Sequence, residues 1–220
     1  MSTGFHQVDL AHRLFLVLTG AALLSSCGGV SAVDTATTNA STASASTASI
    51  STAVATKAAS RPPRVGETAP DFALDAISGN KVKLSQVSRQ GPVVLVLLRG
   101  YPGYQCPLCT VQVGQLIGRA KQIANAKARV LLVYPGPAEG LKARADEFVK
   151  GKAMPENFDL LLDPDYTFTN LYGLRWDAAG ETAYPSTFVL DRTHKVLYAK
   201  VSRSHGDRAK FEDVLAALPK

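Results

Sequence analysis

The chain has few cysteines, no long apolar run and no cluster of like charge, and each shortage removes a class of protein. Three cysteines, Cys27, Cys106 and Cys109, are too few for a disulfide-stapled scaffold or a four-cysteine zinc site. The histidines beyond the N-terminal segment, His194 and His205, stand too far apart for the usual His-rich half of a mixed zinc site. The apolar run Leu14–Leu24 is well short of the roughly 20 residues that cross a bilayer. The formal net charge is +6, but Lys and Arg are scattered among acids, so a solvated basic surface is expected and no nucleic-acid partner. No structural period repeats, which excludes a solenoid.

What is present at the N-terminus reads as addressing and spacing. Residues 1–26 have a short polar start followed by the apolar run, the pattern of a secretory signal. The segment ends Leu24-Ser25-Ser26-Cys27-Gly28, which resembles a bacterial lipobox. That resemblance implies cleavage before Cys27, its lipidation, and a protein held at a membrane surface without spanning it; stable anchoring takes more than one acyl chain. The expected location is the bacterial cell envelope, facing the extracytoplasmic side. Residues 27–62 are then a tether: Ser31 to Ser60 is nearly all Ala, Ser and Thr and lacks the large apolar side chains that offset ordering entropy. A flexible chain of that length spans about 30 Å.

The folded domain is expected over residues 63–220, opening after Arg61-Pro62-Pro63. Asp71–Leu74 and Lys81–Leu84 flank Ser78-Gly79-Asn80 and predict a hairpin. Val93–Leu98 is a continuous apolar run between Gly91-Pro92 and Arg99-Gly100, the pattern of a strand buried on both faces. A helix follows from Pro107 to about Ala126, then a buried strand over Arg129–Tyr134 and a helix from Ala138 to Lys150. A short strand at Leu160–Leu162, a short helix from Tyr166 to Tyr172, an antiparallel pair (Ser186–Leu190 and Val196–Val201) and a last helix capped by Asp207 complete the order. The plan is α/β in three layers, with a mixed central sheet and an N-terminal hairpin.

The chemistry concentrates at Arg99-Gly-Tyr-Pro-Gly-Tyr-Gln-Cys106-Pro-Leu-Cys109. With Cys27 assigned to the anchor, Cys106 and Cys109 are the only thiols of the soluble part, and a loop so short contributes little as a staple. With Cys106 at the N-cap and Pro107 at the first helical position, both sulfurs meet unsatisfied N–H groups and the positive end of the helix dipole. A thiolate there is stabilised and reactive near neutral pH. Tyr101, Pro102 and Tyr104 are expected to form an apolar collar, and Trp176 to be a packed loop residue.

A family resemblance rests on several stretches together: Val65-Gly-Glu-Thr-Ala-Pro-Asp-Phe-Ala-Leu74, Gly79–Leu84, the Val93–Leu98 strand, Cys106-Pro-Leu-Cys109 and Tyr184-Pro-Ser-Thr-Phe-Val-Leu-Asp191. Residues 65–218 resemble the alkyl hydroperoxide reductase/thiol-specific antioxidant (peroxiredoxin-like) branch of the thioredoxin superfamily. The resemblance implies a thioredoxin-like fold and matches Pro185 to the cis-proline that faces the cysteines in thioredoxin-like disulfide reductases. Two carry-overs compete. In the peroxiredoxin pattern Pro102 and Cys109 match, making Cys109 the sulfur that attacks peroxide, while Cys106 stands at the Thr position. In the thioredoxin pattern Cys106 attacks and Cys109 resolves the mixed disulfide. Pro185 also occupies the place where peroxiredoxins carry an arginine, leaving Arg99 or Arg175 to supply that charge.

The expected function is a thiol redox enzyme that cycles Cys106 and Cys109 between dithiol and disulfide, with Arg99, Pro102, Tyr104 and Pro185 in support. It would need no metal or organic cofactor, only an electron-donating thiol protein or small thiol and a disulfide-bearing protein or peroxide as substrate. The alternatives are a dedicated peroxidase acting through Cys109 and, in a different class, an envelope protein binding copper or zinc through the two thiols.

Overall fold

The computed structural model describes residues 61–219; the expected signal, Cys27 and most of the tether lie outside the described residues. The elements are β1 (Ala73–Ala76), β2 (Lys81–Lys83), α1 (Leu84–Val87), β3 (Val93–Leu97), α2 (Pro107–Gly118), α3 (Ala120–Asn125), β4 (Arg129–Gly136), α4 (Leu141–Val149), β5 (Phe158–Pro164), α5 (Thr167–Leu171), β6 (Ser186–Leu190), β7 (Val196–Val201) and α6 (Phe211–Ala217). They form a seven-stranded mixed sheet in the order β2-β1-β5-β4-β3-β6-β7. β3, β4 and β5 run parallel; β1 and β6 lie antiparallel to the strands they flank, and β2 and β7 close the edges as hairpins.

The apolar run Val93–Leu97 is fully buried, as a strand covered on both faces must be. Side chains alternate across a strand, so Val94 and Val96 join a core with Val113 of α2, Ile123 of α3, Phe148 of α4 and Val214 of α6. Val93, Leu95 and Leu97 join the opposite core with Leu84 of α1, Phe168 of α5, Tyr172 and Phe188. The second core is largely aromatic: Phe168 and Tyr172 stack with centroids 4.2 Å apart, and Phe72 meets Phe168 edge-on at 4.8 Å. Among the described residues no helix is long and apolar enough to cross a membrane.

Three local expectations change. The helix expected from Pro107 to Ala126 is broken at Arg119, whose φ of −116° and ψ of 15° depart from helical values, so α2 and α3 are separate. Asp207 does not cap α6, which begins at Phe211 after Lys210; its carboxylate instead accepts from the Arg203 backbone N–H and pairs with Lys200. The turn α1 was not foreseen, because a four-residue helix with one buried residue carries no periodic signal.

The path from β3 to the cysteines passes one tight point. Gly100 has φ of +76°, and a Cβ there would lie 2.1 Å from the Pro135 carbonyl oxygen of β4. Gly100→Ala therefore combines a left-handed backbone with a clash against backbone, and is expected to lower stability by about 2 kcal/mol or more. The midpoint of urea unfolding measures it; an unchanged midpoint would show that this approach is not fixed.

Candidate active site

Topology brings three distant segments to one end of the sheet. The motif leaves the C-terminal end of β3, where Leu97 pairs with Ser186. Pro185 immediately precedes Ser186, and Ser186 pairs in turn with Val201, so the segment after β7 begins at the same end. Pro185 is buried and its carbonyl accepts from the Ser202 N–H at 2.9 Å, which ties these two segments together.

Cys106 is the N-cap residue of α2, with extended backbone (φ −71°, ψ 110°), and Pro107 opens the helix. Its Sγ accepts from the Cys109 backbone N–H at 3.2 Å, so the sulfur does what a capping oxygen usually does. Cys109 Sγ accepts from the Arg99 backbone N–H at 3.3 Å. Both thiols are free, and both are buried: Cys106 is 3% exposed and Cys109 1%.

The cation beside the sulfurs is Arg208. Its guanidinium lies 3.8 Å from Cys106 Sγ and 3.6 Å from Cys109 Sγ. It is aimed by two further bonds, from Nε to the His205 carbonyl at 2.7 Å and from Nη1 to Gln112 Oε1 at 2.9 Å. Gln112 is steadied in turn by a bond to the Thr187 hydroxyl at 3.3 Å. Neither arginine considered from the sequence plays this part. Arg99 is only 4% exposed, but its guanidinium is taken up by Glu181 at 2.9 Å, the Tyr104 hydroxyl at 2.6 Å and the Gly180 carbonyl, leaving only its backbone on Cys109. Arg175 is bonded to the carbonyls of Trp176 and Thr182 and lies over the Tyr166 ring. Arg208 was missed because it is 102 residues from Cys106, in a segment outside any helix or strand, and nothing local marks it.

The electrostatics separate the two thiols. A hydrogen bond from the Cys109 thiol, the Cys109 backbone N–H and the nearby Arg208 charge together hold Cys106 down to about 6, against the opposing cost of burial. Cys109 is pushed well above the ordinary thiol range, first by its bond to the Cys106 sulfur and then by burial, with Arg208 opposing. Both directions favour negative charge on Cys106, with the Cys109 thiol as its hydrogen-bond donor.

Around this pair the expected collar is only partly apolar. Tyr104 is half-exposed and anchored through its hydroxyl to Arg99, while Tyr101 lies under the Arg144 guanidinium at 4.1 Å. Pro102 is half-buried in the same segment. Trp176 stacks on Tyr184 with centroids 4.7 Å apart, and His205 pairs with Glu181 at 2.9 Å. Among the described residues no group of three or more His, Cys, Asp or Glu stands close enough together to hold a metal ion.

A mixed sheet carrying a dithiol at the N-terminus of the helix that follows a central strand defines a thiol redox protein of thioredoxin-like fold. Residues 65–199 match the AhpC/TSA family, and the chain belongs to that family. A Mycobacterium tuberculosis protein provisionally named a peroxiredoxin is 27% identical over 152 residues, covering 66% of this chain and 93% of that protein. Of solved structures, peroxidoxin BcpB from Mycobacterium tuberculosis superposes with a TM-score of 0.57 at 26% identity, covering 70% of this chain and 96% of the other. A Chlorobium tepidum protein provisionally named as the thiol:disulfide interchange protein DsbE superposes with a TM-score of 0.53 at 26% identity, covering 71% and 99%. The chain is thus an enzyme of the thiol-dependent peroxidase and oxidoreductase class.

Proposed function

We propose that the enzyme reduces disulfide or peroxide substrates by cycling Cys106 and Cys109, with Cys106 attacking and Cys109 resolving. The observation that carries this reading is the separation of the two sulfurs: the Cys109 N–H and Arg208 stabilise negative charge on Cys106, while the Cys109 thiol is kept protonated as its donor. With a disulfide substrate, the Cys106 thiolate bonds to one substrate sulfur and the other leaves as thiolate. Cys109 then gives up its proton and attacks Cys106 Sγ, the second substrate sulfur departs, and the Cys106–Cys109 disulfide remains. With a hydroperoxide, Cys106 takes the terminal oxygen as sulfenic acid and an alcohol or water leaves; Cys109 condenses with it, releasing water. An electron-donating thiol protein or small thiol restores the dithiol in either case.

The peroxidase reading through Cys109 has one specific support, because the Arg99 N–H and Arg208 both reach Cys109 Sγ. The two readings part in a Cys109→Ser variant of the full chain incubated with insulin. A covalent adduct on Cys106, seen by mass spectrometry and released by excess thiol, supports attack by Cys106. Absence of an adduct in that variant, with an adduct on Cys109 in Cys106→Ser, assigns attack to Cys109 instead. Pro185 and Tyr104 flank the site in this proposal and hold its walls, while Arg99 places its N–H on Cys109.

For location, the proposal keeps the lipid-anchored reading of Cys27 and a position on the extracytoplasmic side of a bacterial membrane, supported by the Leu24-Ser25-Ser26-Cys27 pattern and the Ala/Ser/Thr tether. Expression in a bacterial host with labelled palmitate checks it. Label that persists in Cys27→Ser would rule the anchor out.

A further inference from the structure

The attacking sulfur in the reading above is almost wholly buried, and its immediate neighbour in the chain is firmly tied to β4 and α4. Gln105 has both ends of its amide engaged. Its Nε2 donates to the Arg144 carbonyl at 2.9 Å and to Glu147 Oε2 at 3.0 Å, and its Oε1 accepts from the Tyr134 hydroxyl at 3.0 Å. Burial pushes the Tyr134 phenol well above its usual range, so that hydroxyl stays a donor at neutral pH. These partners sit on firm elements: Tyr134 is on β4 and packs against Phe148 of α4 at 5.4 Å, and Arg144 and Glu147 belong to α4.

Past Gly100, which is backed against the Pro135 carbonyl, the segment leading to Gln105 is held mainly through two tyrosines. It contains Gly100 and Gly103, both at positive φ, and has no regular structure. Its other ties are Tyr101, packed at the edge of the core under the Arg144 guanidinium, and Tyr104, whose hydroxyl and ring both meet the Arg99 guanidinium. Cys106 is joined to Gln105 on one side and to α2 on the other. Lifting the Gln105 end away from β4 and α4 would free the segment before Cys106 and let its sulfur reach a disulfide set in another protein. A hydroperoxide presents only two oxygen atoms and asks for far less movement.

We propose that Gln105, held by Tyr134, the Arg144 carbonyl and Glu147, is a specificity-determining latch that sorts substrates of Cys106 by size. Closed, it admits hydroperoxides and small reagents; open, it admits protein-borne disulfides. The inference rests on Cys106 being the attacking sulfur.

The test uses the reduced full chain and three probes: hydrogen peroxide, iodoacetamide and insulin. Gln105→Ala is expected to raise the single-turnover rate with insulin about ten-fold or more, while the rates with peroxide and iodoacetamide stay within about two-fold of wild type. Tyr134→Phe, which keeps the packing and removes one bond, should give an increase of about three-fold with insulin only. Glu147→Gln retains a carbonyl acceptor for Nε2 and should behave as wild type. The pH midpoint of Cys106 alkylation should be the same in all four proteins. A parallel rise with all three probes would mean altered thiolate reactivity and would overturn the latch, as would an insulin rate that is unchanged or lower in both Gln105→Ala and Tyr134→Phe. Peptide mapping of the iodoacetamide product keeps the two levels distinct. Label on Cys109 with Cys106 untouched overturns the attacking-sulfur reading and the latch with it, whereas label on Cys106 with no size-dependent change overturns the latch alone.

Discussion

Cys106→Ser is expected to reduce turnover with insulin by at least about a thousand-fold, the largest loss any single substitution here should produce. The hydroxyl would sit where the Cys109 N–H and Arg208 now face the sulfur, so the N-cap and the local fold should survive. What disappears is the nucleophile, because an alcohol is not ionised near neutral pH and cannot form a disulfide. Cys109→Ser removes the resolving thiol only. It should still react once, leaving about one substrate adduct per chain and no multiple turnover. Steady-state assays with insulin and with hydrogen peroxide, each with a small-thiol donor, read both outcomes. Should peroxide turnover survive Cys106→Ser while insulin reduction is absent in every variant, the enzyme works through Cys109 and the proposed order of attack is wrong.

The second large effect belongs to Arg208. Arg208→Met keeps much of the side-chain volume and removes the guanidinium that bonds both sulfurs. The alkylation midpoint of Cys106 should move up from about 6, by roughly one pH unit. Below that midpoint the alkylation rate should fall about ten-fold. Losing thiolate stabilisation weakens the dithiol relative to the disulfide, so the reduction potential should become more negative by about 30 mV. Arg208→Lys retains the charge without the fork that also reaches Gln112 and should recover part of the shift.

The sign for stability follows from the same lowered pKa. A Cys106 held below its ordinary value of 9.0 stabilises the reduced fold fully above about pH 9, and that contribution is lost as pH falls towards about 6. Urea midpoints of the reduced protein should therefore drop across this window, and less steeply in Arg208→Met. An alkylation midpoint unmoved by Arg208→Met would show that the Cys109 hydrogen bond and N–H suffice alone.

Much of the scaffold was legible because its signals are local. Val93–Leu98 reads as a doubly covered strand from six consecutive apolar residues, and the hairpin of β6 and β7 from two apolar runs around Asp191-Arg-Thr-His-Lys195. Cys106 as N-cap and Pro107 as first helical residue follow from the chemistry of helix ends. The break at Arg119 was not legible, because Ile117, Ala120 and Ile123 keep near-helical spacing through it. Asp207 has the residue type of a cap, yet a closer partner, Lys200, holds its carboxylate, and pairing of that kind is invisible in a linear reading.

The sequence by itself determined which atoms can react: only two thiols stand in the domain, three positions apart, at the start of a helix behind a buried strand. Family membership followed from motifs spread along the chain. Tertiary structure decided what makes those thiols unequal. Arg208, aimed by Gln112, meets the sulfurs from a segment that sheet register brings to the end of β3 where the Arg99 N–H reaches Cys109, and Gln105 finds its partners on β4 and α4. Hydrogen bonds and charge act over a few ångströms of space irrespective of separation along the chain, so the order in which the cysteines act is a property of the fold.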